Sequence, residues 1–171
     1  MHPVAGDRVH VAVSGGAEAG AEACRLAEQV GGELARRGAV VVTGGLGGAM
    51  AAACRGAKDA GGTTVGILPS DARSDANAWV DVAVPTGLGE GRNALVVRAA
   101  DAVVAVAGGF GTLSEIALAL RLGKPVIGLG TWELACDGRP VEAIVPAATP
   151  AEAAEAAVSM ATGRRRPPTG S

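Results

Sequence analysis

Aromatic residues are almost missing. Trp79, Phe110 and Trp132 are the only three, and there is no tyrosine. A core without aromatics has to be Val, Leu, Ile and Ala, with elements packed close together. Cysteine is scarce as well: Cys24, Cys54 and Cys136 form an odd, scattered set with no CxxC spacing. That argues against a disulfide framework or a zinc site and fits a reducing cytoplasm. His2 and His10 are the only histidines, so no metal site is expected, and no resident cofactor either. No apolar run approaches the roughly 18 residues of a membrane helix. The longest, Ala102 to Phe110, is strand-sized and includes two glycines. Met1 to Arg8 has no apolar signal-peptide core. A cytoplasmic location without a membrane partner is the expectation.

Charge of one sign is lacking too. Lys plus Arg is 15 and Asp plus Glu is 17, a net charge of −2. That balance argues against nucleic acid as the main partner. What the chain has in excess is glycine: 27 of 171 residues, roughly twice the usual share. The length suits one domain, and 49% hydrophobic against 19% charged residues excludes intrinsic disorder.

Short β-branched runs alternate with longer Ala-rich ones. Strands are expected near Val9–Val13, Val40–Thr43, Thr64–Leu68, Val80–Val84, Val103–Ala107 and Val126–Leu129. Most are continuous apolar runs, as parallel strands covered on both faces require. Helices are expected at about Ala19–Arg37, Ala49–Ala60, Arg92–Ala100, Thr112–Leu122 and Pro150–Ala161. Gly38, Gly61 and Gly123 follow helix ends, and Thr149-Pro150 reads as an N-cap with Pro at the first helical position. The fold class predicted is α/β, a Rossmann-like doubly wound parallel sheet in a single domain over residues 1–163. Ser70–Ala78 reads as a surface loop or lid, Trp132–Pro140 as an irregular insert, and 164–171 as a disordered tail. Along the helix Thr112–Leu122, the residues Leu113, Ile116, Ala117 and Leu120 form one apolar stripe, while Leu118 and Leu122 fall off it. A helix apolar on more than one face has more than the sheet to pack against, which points to a homodimer.

In an open α/β sheet, ligands bind beyond the carboxyl ends of the strands. Here those ends are glycine-rich: Ser14-Gly15-Gly16, Thr43-Gly44-Gly45-Leu46-Gly47-Gly48, Thr86-Gly87-Leu88-Gly89-Glu90-Gly91-Arg92-Asn93 and Gly108-Gly109-Phe110-Gly111-Thr112. A glycine turn opening a helix admits close approach and aims free N–H groups at one spot, which makes an anion site. Four on one edge point to phosphate or nucleotide binding. The Walker motif is absent, and GxGxxG fails at Met50 when started from Gly45 and at Ser114 when started from Gly109. A P-loop NTPase and a dinucleotide dehydrogenase are disfavoured. Glu115 has two readings: a carboxylate beside the phosphate nest, or the glutamate of a capping box Thr112-Leu113-Ser114-Glu115. Arg92 is either a solvated cation or an anion clamp.

Ala107-Gly108-Gly109-Phe110-Gly111-Thr112-Leu113-Ser114-Glu115 resembles the PGGxGTxxE signature of the Lonely Guy (LOG) family, often labelled "possible lysine decarboxylase". The stretch Val40 to Pro69 is similar to the same family's first half. Lys58 and Lys124 are the only lysines, and neither is marked as a pyridoxal-phosphate lysine, so the decarboxylase label has no support. The resemblance implies a Rossmann-like dimer that binds a nucleoside 5′-monophosphate and releases free base and ribose 5-phosphate. Gly108, Gly109, Gly111 and Thr112 would hold the 5′-phosphate, with Ser14, Gly15, Gly44, Gly45, Gly47 and Asn93 completing the binding set. Glu115 would act at the ribose with Arg92 beside it. Asn93 stands where LOG enzymes usually have lysine, and Ala107 where they have proline. In the Arg92-Asn93 form and in the wording of that first half the chain looks closer to the branch containing molybdenum cofactor carrier proteins. The resemblance therefore also implies the alternative of a non-catalytic carrier or sensor of a phosphorylated pterin or nucleotide.

Overall fold

Val40–Thr43 and Ala102–Val106 are buried at every position, so these runs have no solvent face and must be covered on both sides. In the computed structural model, which describes residues 8–165, they are strands of one seven-stranded sheet. Its strands are β1 (His10–Ser14), β2 (Val40–Thr43), β3 (Thr63–Leu68), β4 (Val82–Pro85), β5 (Ala102–Val106), β6 (Val126–Leu129) and β9 (Val145–Pro146). The order is β4-β3-β2-β1-β5-β6-β9 and every pairing is parallel. Five helices cover it: α1 (Ala21–Arg36), α2 (Gly48–Asp59), α3 (Asn93–Ala99), α4 (Phe110–Arg121) and α5 (Pro150–Arg165). This is the expected Rossmann-like architecture.

Successive strand residues point to opposite faces, and the core divides accordingly. Val11, Val13, Val104 and Val106 pack with Val30 and Leu34 of α1, Ala53 of α2 and Ala157 of α5. Ala12, Val103 and Ala105 pack with Val96 and Val97 of α3 and with Ile116 and Ala119 of α4. On the first face α1 and α2 touch backbone to backbone. A Cβ on Gly31 would lie 2.0 Å from the Ala53 carbonyl oxygen, and one on Gly56 would lie 1.9 Å from that of Glu28. The scarcity of aromatics has this counterpart: small residues bring the helices together. The two lysines act structurally. Lys124 Nζ donates to the carbonyls of Val97, Arg98 and Ala100, closing the end of α3. Lys58 Nζ donates to Asp81 at 2.7 Å, just before β4.

Three expectations need correction. The insert Trp132–Pro140 is not irregular: it carries the antiparallel hairpin β7 (Leu134–Cys136) and β8 (Arg139–Val141). Asp137 and Gly138 turn it with φ of 51° and 70°, the left-handed pair that a two-residue hairpin loop needs. Second, the two-residue edge strand β9 follows, too short for any periodicity to announce. Third, the buried face of α4 is Thr112, Glu115, Ile116 and Ala119. Ala117 is exposed and Leu113 and Leu120 are only half buried, so the expected apolar stripe is not the packing face. A stripe drawn through apolar residues alone overlooks two polar ones that face inward. At the C-terminus, α5 continues to Arg165 instead of ending at Ala161, and the Arg164 guanidinium donates to the Gly123 carbonyl. The rest of the expected tail, 166–171, lies outside the described residues.

Candidate functional site

β1 leads on through α1 to β2 on one side of it, while β5 pairs with its other edge. The chain thus diverges between β1 and β5, and a crevice opens beyond their carboxyl ends. A cleft of about 310 Å³ occupies that place, at the small end of the range for ligand sites. Of the residues singled out in the sequence, Ser14, Gly15, Gly44, Arg92, Asn93, Gly109, Gly111, Thr112 and Glu115 line it. Gly45, Gly47 and Gly108 do not. Gly45 packs against Leu68, since a Cβ there would lie 2.6 Å from Leu68 Cδ2. Gly47 is the N-cap of α2. Gly108 turns the chain at φ +116°, and a Cβ on it would lie 2.5 Å from the Thr112 side chain. Residues that sequence reasoning passed over also line the cleft, among them Leu46, Met50 and Pro69. Their signal was position: each follows the end of β2 or β3. The loop expected as a lid is fastened, because Asn77 Nδ2 donates to the carbonyls of Gly45 and Leu46 at 3.2 and 2.9 Å.

The first turn of α4 forms one wall. Its N-cap is Gly109, with no side chain capping it, and the helix starts at Phe110. The N–H groups of Phe110, Gly111 and Thr112 therefore have no intrahelical partner, and the positive end of the helix dipole is there. The capping-box reading falls with this boundary. Thr112 is the third residue of the helix, not the cap, and the Glu115 carboxylate reaches across to Ser14. Neither Gly109 nor Gly111 has a positive φ, and a Cβ on either would meet nothing within 4 Å. Packing does not account for these two glycines.

Three buried polar residues also line the cleft. Ser14, Arg92 and Glu115 are 2%, 8% and 7% exposed. The Ser14 hydroxyl donates to Glu115 Oε2. Arg92 Nη1 lies 3.9 Å from Glu115 Oε1 and donates to Asn93 Oδ1 at 3.1 Å. Asn93 Nδ2 donates in turn to Ser114 Oγ at 2.9 Å, tying α3 to α4. Arg92 lies across Gly44, whose Cβ would be 2.2 Å from Nη1. The solvated-cation reading of Arg92 is therefore wrong. Its Nε is buried without a hydrogen-bond partner. Burial lowers the Arg92 pKa against the pull of Glu115. Burial also raises that of Glu115 above the ordinary carboxylate value, opposed by the Ser14 hydrogen bond and the Arg92 charge. Among the described residues no three His, Cys, Asp or Glu side chains gather into a set that could hold a metal ion.

Known proteins share this arrangement of chain. A molybdenum cofactor binding protein from Rippkaea orientalis is 36% identical, with a TM-score of 0.80 over 89% of this chain and 96% of that one. The Moco carrier protein of Chlamydomonas reinhardtii is 34% identical, with a TM-score of 0.78 over 92% and 99%. An uncharacterized protein of Archaeoglobus fulgidus is 42% identical over 121 residues, 71% of this chain and 80% of its own. Residues 8–160, from the first strand into the last helix α5, match one family throughout. With the cleft, its walls and both helical layers inside that match, the chain belongs to the SLOG cluster4 family.

Proposed function

We propose that this protein is a carrier of a phosphorylated pterin of the molybdenum cofactor kind, held by its phosphate against the first turn of α4. The observation that carries the reading is the open cradle over Gly109 and Gly111, in a cleft that also holds a buried arginine with an unpartnered Nε. Free helix N–H groups and a guanidinium are what a phosphate needs, and a desolvated Arg92 donor is costly until an anion arrives. The similarity to two molybdenum cofactor proteins over nearly the whole chain supports a pterin as the rest of the ligand.

A second reading, nucleoside 5′-monophosphate phosphoribohydrolase, rests on Glu115 lining the cleft. A ribosyl cation is stabilised by a carboxylate anion. Here burial favours the neutral carboxyl and Ser14 occupies one oxygen, which supports carriage over turnover. One pair of measurements separates the two. Incubated with molybdenum cofactor and passed over a gel-filtration column, the protein should co-elute with the pterin. It should release no base from a panel of nucleoside monophosphates. Base release by the wild type, slowed by two or more orders of magnitude in Glu115→Gln (roughly 3 kcal/mol of transition-state stabilisation), would overturn carriage in favour of hydrolysis. We also propose a homodimer, in which the exposed Leu88 and Leu95 at α3 would be covered.

A further inference from the structure

Two of the three aromatic residues stand together at the mouth of the cleft. Phe110 opens α4 and is 82% exposed, the most exposed of the large hydrophobic side chains. Its ring lies against Trp132, with centroids 5.8 Å apart and planes inclined by 35°. Trp132 is fixed in turn, donating Nε1–H to the Gly109 carbonyl at 3.3 Å. An exposed phenyl ring braced on a neighbouring indole at the rim of a polar cleft offers a flat apolar face.

Beside this platform runs a second depression of about 380 Å³, walled by Ala94, Phe110 and Leu118. It is continuous with the cleft, since Glu90, Asn93 and Gly111 line both. On that shared rim the Asn93 amide is occupied by Arg92 and Ser114. The side chain of Glu90, in the 3-10 turn Gly89–Arg92, has no hydrogen bond or ion pair among the described residues. Glu90 is exposed and lines both depressions, so its carboxylate is open to a molecule that spans them. A carboxylate only accepts, through two oxygens side by side. Its flat complement is an edge with two adjacent N–H donors.

We infer that the groove between Phe110 and Glu90 takes a planar ring with a 2-amino-4-oxo edge, the edge that guanine and pterins share. The ring stacks on Phe110 and presents its two N–H groups to the Glu90 carboxylate, while the phosphate reaches the first turn of α4. Adenine offers one amino donor beside a ring nitrogen lone pair, which a carboxylate repels. This assignment rests on the phosphate anchor and the pterin reading proposed above and adds the two residues that hold and read the ring.

Calorimetric titration of the full chain with GMP, AMP, neopterin monophosphate and inorganic phosphate tests it. GMP and neopterin monophosphate should both bind roughly ten- to hundredfold more tightly than AMP, as one bidentate contact allows; the tighter of the two identifies the source of the ring. Phe110→Ala should weaken all three ring ligands about tenfold, the effect of losing one stacking partner, and leave inorganic phosphate unchanged. Glu90→Gln should erase the preference for GMP over AMP. Equal affinity for GMP and AMP in the wild type would overturn the inference while leaving the anchor standing. So would a preference that survives Glu90→Gln, or a Phe110→Ala change that weakens phosphate as much as GMP. If inorganic phosphate and every nucleotide fail to bind, the anchor falls and the inference with it.

Discussion

At the scale of single residues, Gly111 holds a conflict between stability and binding. It lies in the first turn of a helix with ordinary φ, and its Cβ direction is open. Alanine there should raise stability by up to about 1 kcal/mol, the usual helix preference. The added methyl would stand in the cradle, so affinity for phosphate-bearing ligands should fall. Denaturant midpoints and titration of the same variant check both halves; a gain in stability without a loss of affinity would remove Gly111 from the binding surface. Glu115 gives a pH signature. Burial raises its carboxyl in the folded protein above the ordinary carboxylate value. The folded state therefore keeps a proton that the unfolded chain gives up. Its contribution to stability is complete below that value and is lost as pH rises through the raised one. Glu115→Gln should gain stability relative to wild type between acid and neutral pH, and a difference constant with pH would contradict the shift. Some residue-scale features were legible in the sequence and others were not. Glycines before Thr112 advertise an anion site wherever they occur. The pairing of Ser14 with Glu115 spans 101 positions, and no local pattern announces it. Ala107 adopts φ +46°, a conformation closed to proline, so its departure from the PGGxGTxxE signature goes with a turn that the signature's proline could not make.

Among the elements, the α1–α2 contact is the most sensitive to size. Glycine to alanine inside a helix ordinarily stabilises. At Gly31 the sign reverses, because the new Cβ would lie 2.0 Å from the Ala53 carbonyl oxygen. Gly31→Ala should cost about 1–3 kcal/mol, as overpacking does, read as a lower urea midpoint at unchanged slope. A midpoint that rises would mean that the two helices slide apart freely. Strand positions were readable because buried parallel strands are apolar throughout. Helix starts were not. The N-caps of α1, α2 and α4 are Gly20, Gly47 and Gly109, with no side-chain cap hydrogen bond, so the polar capping residues that mark a start are missing there. The Asp137-Gly138 turn did carry a hairpin signal, but β7 and β8 have three residues each, too few to alternate visibly.

For the whole molecule, the proposed dimer predicts a particle of twice the chain mass in static light scattering at micromolar concentration. A monomer under those conditions would overturn it. The architecture was legible from alternation of strand and helix, because parallel strands need long crossovers, and four of the six here carry a helix. The central place of β1 was not, since nothing in a strand's own sequence names its neighbours. That placement governs how the chain comes together in time. β1 leaves the ribosome before β2 and β5 and can pair with β2 first. Its other edge meets β5, joined by the contact from the His10 N–H to Asp101 across 91 residues. Until β5 emerges, the half-made sheet offers a bare, apolar edge to any other nascent chain. Ser14 and Glu115 come together only when that edge closes, so the cleft does not exist before β5 has paired, and no fragment ending ahead of α4 would hold the proposed ligand.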